Sequence, residues 1–428
     1  MSTLLRRVLP AALLVFAVVG TLPTAASAAP LEGAKGLAAR SQLTCVALTN
    51  AQVRCWGEGD QGQLGHGAVV DHSANPVAVI NDNTGTALTG VAQISVGRVH
   101  ACARMNNGRV RCWGANTLGQ LGDATNAQRN RAVLVRNAGN SGPMENVAQI
   151  SVGANHTCAR LENGQARCWG MNSFGQLGTG NTTGSALPKT VRSVSGDAAL
   201  TSVAQIITGE RHSCARRTNG QVRCWGENGD AQLGDGTDTD SSLPRTVLDV
   251  DGIGPLAGVA QIAGVSDHTC ARLTNTQATC WGDDTSGKLG NGAGVPVDPA
   301  VSLRPAFVVG GPPVDGFAAP LTGVAQVTAG GSHSCFRMTT AQVRCTGSNT
   351  SGQLGDLSAG DQSDWPGVVA NQTGAGPLMD VAQVVAGGSH TCARMVSRQV
   401  LCWGSNLSGQ LGNGGGPNED LPVAVQTT

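Results

Sequence analysis

The residues with the most obvious chemistry in this chain are its 14 cysteines, which fall into seven pairs. The two members of every pair are ten positions apart, and the first members of successive pairs are 57, 56, 56, 56, 65 and 57 residues apart. The pairs are Cys45 with Cys55, Cys102 with Cys112, Cys158 with Cys168, Cys214 with Cys224, Cys270 with Cys280, Cys335 with Cys345, and Cys392 with Cys402. A period of this length indicates a repeat architecture in which each repeat is one structural unit.

A histidine stands two positions before the first cysteine in six of the seven repeats. These histidines are His100, His156, His212, His268, His333 and His390, whereas Leu43 takes the position in the first repeat. A Cys–Cys–His metal cluster is therefore one interpretation, because zinc prefers these ligands. Structural zinc sites use cysteines about two to four residues apart, however, and the pairs here lack that spacing. We expect no metal and no cofactor, and a hydrogen-bonding structural role for the histidines.

The offset of ten residues predicts the local structure that carries each cysteine pair. Between Cys102 and Cys112, a three-residue loop centred on Asn107 places the two cysteines opposite each other on adjacent strands. Such loops commonly end in a residue with positive φ, which Gly108 adopts without steric strain. Directly opposed residues of antiparallel strands have Cβ atoms close to disulfide distance. The sequence therefore predicts seven local disulfides, each closing a loop of about 11 residues.

Other residues recur with the same period. A Val-Ala-Gln-Ile run opens the repeat, as at 91–94, and a loop ending in Gly-Gln-Leu-Gly closes it, as at 119–122. Tryptophan follows the second cysteine in six repeats, at Trp56, Trp113, Trp169, Trp225, Trp281 and Trp403, and Thr346 replaces it in the sixth repeat. By strand alternation Trp113 faces away from the cysteines, and we expect it to pack over Ala101 in the core.

These motifs resemble the repeat of the regulator of chromosome condensation family. Residues 100–103, 107–114 and 116–122 read His-Ala-Cys-Ala, Asn-Gly-Arg-Val-Arg-Cys-Trp-Gly and Asn-Thr-Leu-Gly-Gln-Leu-Gly. The resemblance implies an all-β fold, a seven-bladed β-propeller of four-stranded antiparallel blades. Together with the disulfides that the spacing predicts, this gives one hairpin disulfide per blade. The strand candidate at 421–425 is expected to help complete the blade that contains the N-terminal residues.

The N-terminus has the features of a secretory signal peptide. Arg6 and Arg7 precede an apolar stretch at 8–20, and Ala26-Ser27-Ala28 matches the cleavage pattern. The apolar stretch is shorter than the roughly 20 residues that span a bilayer, although an uncleaved N-terminal anchor is the alternative. We predict a signal peptide at 1–28, a single seven-repeat propeller domain at 29–428, and secretion into the oxidising environment where disulfides persist.

The charge balance separates this chain from the best-known activity of the family it resembles. The chain has 28 Lys and Arg residues and 28 Asp and Glu residues, so its formal net charge is zero. It therefore lacks the strongly basic surface of a typical nucleic-acid-binding domain. Guanine-nucleotide exchange and nucleosome docking are therefore not expected. Secreted propellers that inhibit β-lactamases are a nearer precedent by compartment, although their repeats are shorter and their binding faces aromatic-rich. We predict a secreted, monomeric, non-catalytic binding scaffold for an extracellular protein or glycan, with no membrane or nucleic-acid contact after signal removal.

Two other classes of function stay open, an extracellular enzyme acting on a polymer and a passive structural surface protein. Catalysis needs acid, base or nucleophile groups gathered in one place. The best such cluster is His66, Asp71 and His72 in the first inter-blade connection. The run 235–240 holds three aspartates but lacks the glycine and glutamate of a calcium loop. Because most histidines follow the repeat, we predict that the protein is not an enzyme.

Three aromatic residues outside the repeated positions are candidate partner contacts. Phe307 and Phe317 lie in the longest connection, 291–320, which exceeds its counterparts by about nine residues, and long loops are often functional. Trp365 lies outside the repeated Trp-Gly position, and tryptophan is enriched in binding hot spots. Covering of a blade edge is the alternative role for Trp365, and tolerated drift is the alternative for the long connection.

Overall fold

The fold is described here from a computed structural model, which covers residues 29–292, 301–312, 318–358 and 360–427. The predicted signal peptide at 1–28 and Phe317 lie outside these described residues. The described residues form seven separate sheets, each of four consecutive strands in an antiparallel meander. The first strands of the blades contact one another around a central channel. The predicted seven-bladed propeller is confirmed.

The strands have the following bounds, blade by blade. Blade 1 contains β1 (Ala34–Arg40), β2 (Leu43–Leu48), β3 (Val53–Glu58) and β4 (His72–Ala78); blade 2 contains β5 (Val91–Val96), β6 (His100–Met105), β7 (Val110–Gly114) and β8 (Arg129–Leu134); blade 3 contains β9 (Val147–Val152), β10 (His156–Leu161), β11 (Ala166–Gly170) and β12 (Ser185–Thr190); and blade 4 contains β13 (Val203–Thr208), β14 (His212–Arg217), β15 (Val222–Gly226) and β16 (Ser241–Thr246). Blade 5 contains β17 (Val259–Gly264), β18 (His268–Leu273), β19 (Ala278–Asp283), a 3-10 turn (Thr285–Gly287) and β20 (Val301–Phe307); blade 6 contains β21 (Val324–Ala329), β22 (His333–Met338), β23 (Val343–Ser348) and β24 (Gln362–Val368); and blade 7 contains β25 (Val381–Ala386), β26 (His390–Met395), β27 (Val400–Gly404) and β28 (Glu419–Ala424).

The hairpin between the second and third strands of each blade has the predicted register. Cys102 of β6 lies opposite Cys112 of β7, and Ala101 lies opposite Trp113, which is fully buried. Gly108 closes the loop with a φ of 73°. Blades 5 and 6 adopt the same turn with Thr276 at 66° and Ala341 at 64°, so the turn is imposed by the fold even where glycine is absent.

Polar side chains join each blade to the next, and blade 3 shows the pattern. The Gln149 side-chain amide donates to the Ile206 carbonyl at 3.0 Å, and the Ile206 N–H donates to the Gln149 Oε1 at 2.9 Å. In the same interface between blades 3 and 4, His156 Nε2 lies 2.9 Å from Ser213 Oγ. The Trp225 Nε1–H donates to the Gln176 carbonyl at 2.9 Å. The repeated Gln, His and Trp positions thus hold the ring together as inter-blade contacts.

The prediction for ring closure was wrong. The C-terminal strand β28 pairs with β27 in blade 7, and blade 1 is completed entirely by N-terminal strands. The repeats are in phase with the blades, because the chain enters the ring at the first strand of blade 1. The described terminal segments pair through a bridge between Pro30 and Gln426, with the Leu31 N–H donating to the Val425 carbonyl and the Thr427 N–H donating to the Ala29 carbonyl, both at 2.7 Å. The ring closes instead through the same inter-blade contacts as elsewhere, with His390 Nε2 at 2.8 Å from Thr44 Oγ1.

The interface between blades 1 and 2 is the exception in this ring. Blade 1 carries Gly36 and Leu43 at the positions of the repeated glutamine and histidine. Leu43 instead packs in one hydrophobic cluster with Ala101 and Trp113. Apolar packing therefore replaces two polar contacts at this interface.

Within the described residues, no helix has the length and apolar character needed to cross a membrane.

Candidate binding face

The 14 cysteines form the seven predicted disulfides, one in each blade. The bridges join Cys45 to Cys55, Cys102 to Cys112, Cys158 to Cys168, Cys214 to Cys224, Cys270 to Cys280, Cys335 to Cys345, and Cys392 to Cys402. The Cα–Cα distances are 4.0 to 4.2 Å. All the cysteines are fully buried, and the described residues include no free thiol. The bridges therefore staple the second strand of each blade to the third and form no part of an exposed site.

The six repeated histidines form a structural network. All are fully buried, and each Nε2 lies near a Ser or Thr hydroxyl of the next blade, as with His100 and Thr157 at 2.8 Å. The Thr157 hydroxyl in turn donates to the Gln120 carbonyl at 2.9 Å. Burial lowers the pKa of His100 and His212 to about 3, so both imidazoles are neutral at ordinary pH. These histidines hold blades together as the sequence predicts.

The catalytic-looking and calcium-like clusters do not assemble into sites. No hydrogen bond or ion pair joins the side chains of His66, Asp71 and His72 in the described structure. Asp235 accepts from the Thr237 hydroxyl at 2.7 Å and thereby stabilises its own loop. Among the described residues, no group of three or more His, Cys, Asp or Glu is arranged to hold a metal ion.

Trp365 and Phe307 lie on outer strands, far in the fold from the central channel. Trp365 is 37% exposed in β24, at the position before the strand proline. The same position holds Leu243 in β16, where the leucine contacts Gly180 and Gly196 of the preceding blade. Sequence reasoning missed that Trp365 occupies a repeated position, and this register favours the role of an edge cover. Phe307 is half-buried opposite Thr279 in β19.

The two faces of the ring differ in their loops. One face, here called the turn face, carries the turns between the first and second strands together with the Gly-Gln-Leu-Gly loops. The opposite face, the hairpin face, carries the hairpins between the second and third strands. The turn face carries a cavity of about 370 Å³, here called the charged depression, to which blades 1, 2, 4 and 5 contribute. It is lined by Ser41, Arg98, Glu210, Arg211, Glu227, Asp230, Ser266 and Asp267.

The charged depression breaks the symmetry of the repeats. Blade 4 contributes Glu210 and Arg211 from the turn between β13 and β14. Blades 6 and 7 have Gly331-Ser332 and Gly388-Ser389 at the corresponding positions. Because the backbone turn is shared, the charges have no role in forming it. Glu210 and Arg211 therefore distinguish the turn of blade 4 from the corresponding turns of blades 6 and 7.

The carboxylates of the depression outnumber their cationic partners. Glu227 accepts from Arg211 at 2.8 Å, and Glu210 lies 3.6 Å from Arg98. Asp267 accepts a hydrogen bond from the Ser266 hydroxyl at 3.0 Å.

Asp230 is the least compensated group in the charged depression. Its carboxylate has no ion pair or hydrogen bond within the described chain. Burial raises the pKa of both Asp230 and Asp267, and neighbouring carboxylates raise it further, whereas the more distant Lys288 opposes the shift at both groups and Arg211 opposes it at Asp230. A cation placed in the depression would relieve this uncompensated negative charge.

Arg40 crosses the channel beside the depression. Its guanidinium donates to the Val152 carbonyl at 3.1 Å, to the Thr208 carbonyl at 3.0 Å and to the Val265 carbonyl. Burial lowers its pKa to about 10, which leaves the group charged at neutral pH. The one arginine therefore ties blade 1 to blades 3, 4 and 5.

Blade 1 differs from most other blades at two positions around Arg40, although blade 5 also has a side chain, Val265, at the position of Arg40 and keeps His268. Most other blades have glycine at this position, and a Cβ on Gly209 would lie 2.0 Å from the His212 ring. Blade 1 has Leu43 in place of the histidine. Sequence reasoning missed Arg40, although the simultaneous loss of the glycine and the histidine was a readable signal.

The fold and these contacts define a disulfide-bonded repeat propeller with an asymmetric charged depression on one face. A family model described as the RCC1-like domain matches residues 20–311, and the regulator of chromosome condensation (RCC1) repeat matches 324–353 and 381–410. The chain belongs to the family of RCC1-like domains, as its repeat motifs predict.

Curated relatives differ widely in length from this chain. It is 27% identical over 337 residues to the ultraviolet-B receptor UVR8 of Arabidopsis thaliana, covering 78% of this chain and 69% of UVR8. It is 28% identical to the human E3 ubiquitin-protein ligase HERC2 over 62% of this chain and only 5% of HERC2. Among solved structures, human WBSCR16 superposes with a TM-score of 0.70 at 22% identity, covering 88% of this chain and 94% of that one. Yeast Prp20p gives the same TM-score at 20% identity, covering 88% and 86%. The structural likeness is one of fold.

Proposed function

We propose that this protein is a secreted, monomeric, non-catalytic scaffold that binds an extracellular protein through the turn face. The observation that carries the proposal is the charged depression, an asymmetric group of half-buried carboxylates and exposed arginines on an otherwise repetitive ring. A closed ring of disulfide-bonded blades presents such a group on a rigid backbone, which reduces the entropy lost on binding. The signal-peptide pattern at 1–28 and the seven disulfides support secretion.

The chemistry of the depression indicates what the partner presents. Asp230 has no cationic neighbour within ion-pair distance among the described residues, and Asp267 is satisfied only by a serine hydroxyl. A lysine or arginine side chain of the partner would find two incompletely paired carboxylates there. Prp20p of Saccharomyces cerevisiae has binding properties toward Gsp1p and histones, which is a precedent for protein binding by this fold. We therefore infer a partner with an exposed basic side chain at its contact surface.

Affinity capture from the producer's culture medium tests the proposal. The immobilised mature protein is compared with the double variant Asp230→Lys/Asp267→Lys, and with the matched control Asp251→Lys, an exposed residue of blade 4 beyond its outer strand. We expect the wild type and the control to retain one protein at equal yield. The double variant should lose it, and retention by the wild type should weaken with added salt because exposed charges are screened.

Two results would contradict this function. Equal retention by the wild type and the double variant would exclude the depression as the contact. Capture of a glycan without a protein, or turnover of an added extracellular polymer, would replace the protein-binding scaffold by a glycan binder or an enzyme.

A further inference from the structure

The hairpin face carries a ring of arginines that the contacts between blades do not use. An arginine stands two positions after the first cysteine in six of the seven blades. These residues are Arg104, Arg160, Arg216, Arg272, Arg337 and Arg394. We call them the arginine ring. Blade 1 has Ala47 at this position, so the fold itself does not require arginine there.

The strand register places these arginines around one mouth of the central channel. Arg216 lies opposite Gln205 of β13, and Arg272 lies opposite Gln261 of β17. The glutamines belong to the innermost strands, and Gln261 lines the channel. The arginines therefore lie one strand outside the channel-lining glutamines, at the hairpin end of the ring and opposite the charged depression.

The side chains of the arginine ring have almost no partners inside the protein. In the described chain, those of Arg104, Arg160, Arg216, Arg272 and Arg337 form no ion pair and no hydrogen bond, and their Nε atoms are buried without a partner. Arg394 has a single contact, from its Nε to Gln383 Oε1 at 3.5 Å. The glutamine amides cannot serve the other arginines well, because they already bond the backbone of the next blade, as Gln205 does with Ile262 at 2.7 Å. Unpartnered buried donors are unfavourable unless a ligand or water satisfies them.

The arginines also repel one another. Burial lowers the pKa of Arg216, and the positive charges of Arg272 and Arg160 lower it further. Burial likewise lowers the pKa of Arg394, with Arg398 and Arg337 adding to the effect. No carboxylate contributes to either shift. Blade 1 forms with Ala47 at this position, so the fold does not require the positive charge, and a counter-charge from outside the chain would relieve the repulsion.

We propose that the arginine ring binds a small multivalent phosphate anion at the hairpin-side mouth of the channel. The planar guanidinium group matches phosphate oxygens in a bidentate arrangement, and several such groups around one axis suit an anion with several phosphoryl groups. The site lies on the face opposite the charged depression. The proposed anion site is therefore independent of the proposed protein-binding function, and each can be tested without the other.

Titration calorimetry of the full mature chain with inorganic tripolyphosphate at low ionic strength tests this site. We expect one saturable site that binds tripolyphosphate more tightly than orthophosphate. Replacing Arg216→Gln and Arg272→Gln together should weaken binding by about tenfold or more, the loss expected when charge-assisted hydrogen bonds are removed. The matched control is Arg109→Gln on the same face, because Arg109 is already paired with Glu145 at 2.7 Å. The control should bind tripolyphosphate as the wild type does.

Stability of the ligand-free variants separates a binding site from a structural one. If the arginine ring exists for a ligand, the Arg216→Gln/Arg272→Gln variant should melt at or above the wild-type temperature, because two repelling charges have gone. A lower melting temperature without ligand, absent tripolyphosphate binding, or an equal loss in the Arg109→Gln control would overturn the proposal. Tighter binding of a single-stranded oligonucleotide, in competition with tripolyphosphate, would overturn it in favour of a nucleic-acid site.

Discussion

Replacing one histidine of the inter-blade network should reduce the acid sensitivity of the fold. His212 is fully buried and lies 2.9 Å from Thr269 Oγ1 of the next blade. Burial, with a smaller effect from Arg40, lowers the pKa of this histidine to about 3. In the unfolded chain its pKa is about 6.5. The unfolded chain therefore binds a proton between these two values that the folded protein does not bind.

The sign and size of the effect follow from linkage. Above pH 6.5 the histidine is neutral in both states and stability does not depend on it. As pH falls below 6.5, the unfolded state gains the proton first, so the free energy of unfolding falls. With the folded-state pKa at about 3, the loss at pH 5 is about 2 kcal/mol for this one residue. The loss continues until the pH approaches the folded-state value.

Urea unfolding at pH 7.5 and pH 5, followed by the fluorescence of the buried tryptophans, measures this difference. The variant His212→Gln keeps a polar group near Thr269 but cannot titrate. We expect it to be less stable than the wild type at pH 7.5, and to lose about 2 kcal/mol less than the wild type on going to pH 5. The matched control is His72→Gln, because His72 is exposed on β4. A His212→Gln variant with the full wild-type pH dependence would refute the interpretation of the buried histidines as neutral structural groups.

Three further changes test the contacts that build the ring. Replacing Cys214 and Cys224 together by alanine should lower the free energy of unfolding by up to about 3 kcal/mol, as expected for a closed loop of about 11 residues. Urea titration measures the difference, and an unchanged unfolding midpoint would contradict this prediction. Non-reducing peptide mapping of the wild type should show only bridges within repeats. Ala341→Gly should stabilise the protein by about 1 kcal/mol because Ala341 has a φ of 64°. Gly164→Ala, at a φ of 75°, should destabilise it. A lower melting temperature for Ala341→Gly, or a higher one for Gly164→Ala, would contradict the turn assignment. Arg40→Met should cost about 2 kcal/mol or more, because three carbonyls lose a charged donor, and a variant of wild-type melting temperature would show that the arginine does not tie the blades together.

The repeat made much of the fold predictable from the amino-acid sequence. The constant offset between Cys102 and Cys112 required opposed positions on a hairpin, and the structure has that register. Trp113 packs against Ala101 because strand alternation leaves it no other face. Such positions are determined by local geometry that recurs in every blade, so one repeat was enough to derive them.

Ring closure and the candidate sites were harder to predict because they depend on contacts between distant parts of the chain. The position of β28 is decided by where the chain enters the ring, which the repeat motif does not specify. Arg40 reaches carbonyls 112 to 225 positions away in sequence. The arginine ring was visible as a recurring Cys-Ala-Arg or Cys-Phe-Arg. Only the strand register showed that its members lie at the hairpin end beside the channel-lining strands, and only the side-chain contacts showed that most of them lack partners in the described chain.

Photo-crosslinking from defined positions tests the central claim, that the turn face binds a protein, most directly. A photoreactive residue replaces Ser41, which lines the charged depression, or Ser141, which is exposed beyond the outer strand of blade 2. Each protein is irradiated in the producer's culture medium and the adducts are identified by mass spectrometry. We predict one protein adduct from position 41 that disappears when Asp230→Lys/Asp267→Lys is added, and none from position 141. Adducts of equal yield from both positions, or an adduct at position 41 that survives the charge reversal, would contradict binding through the charged depression.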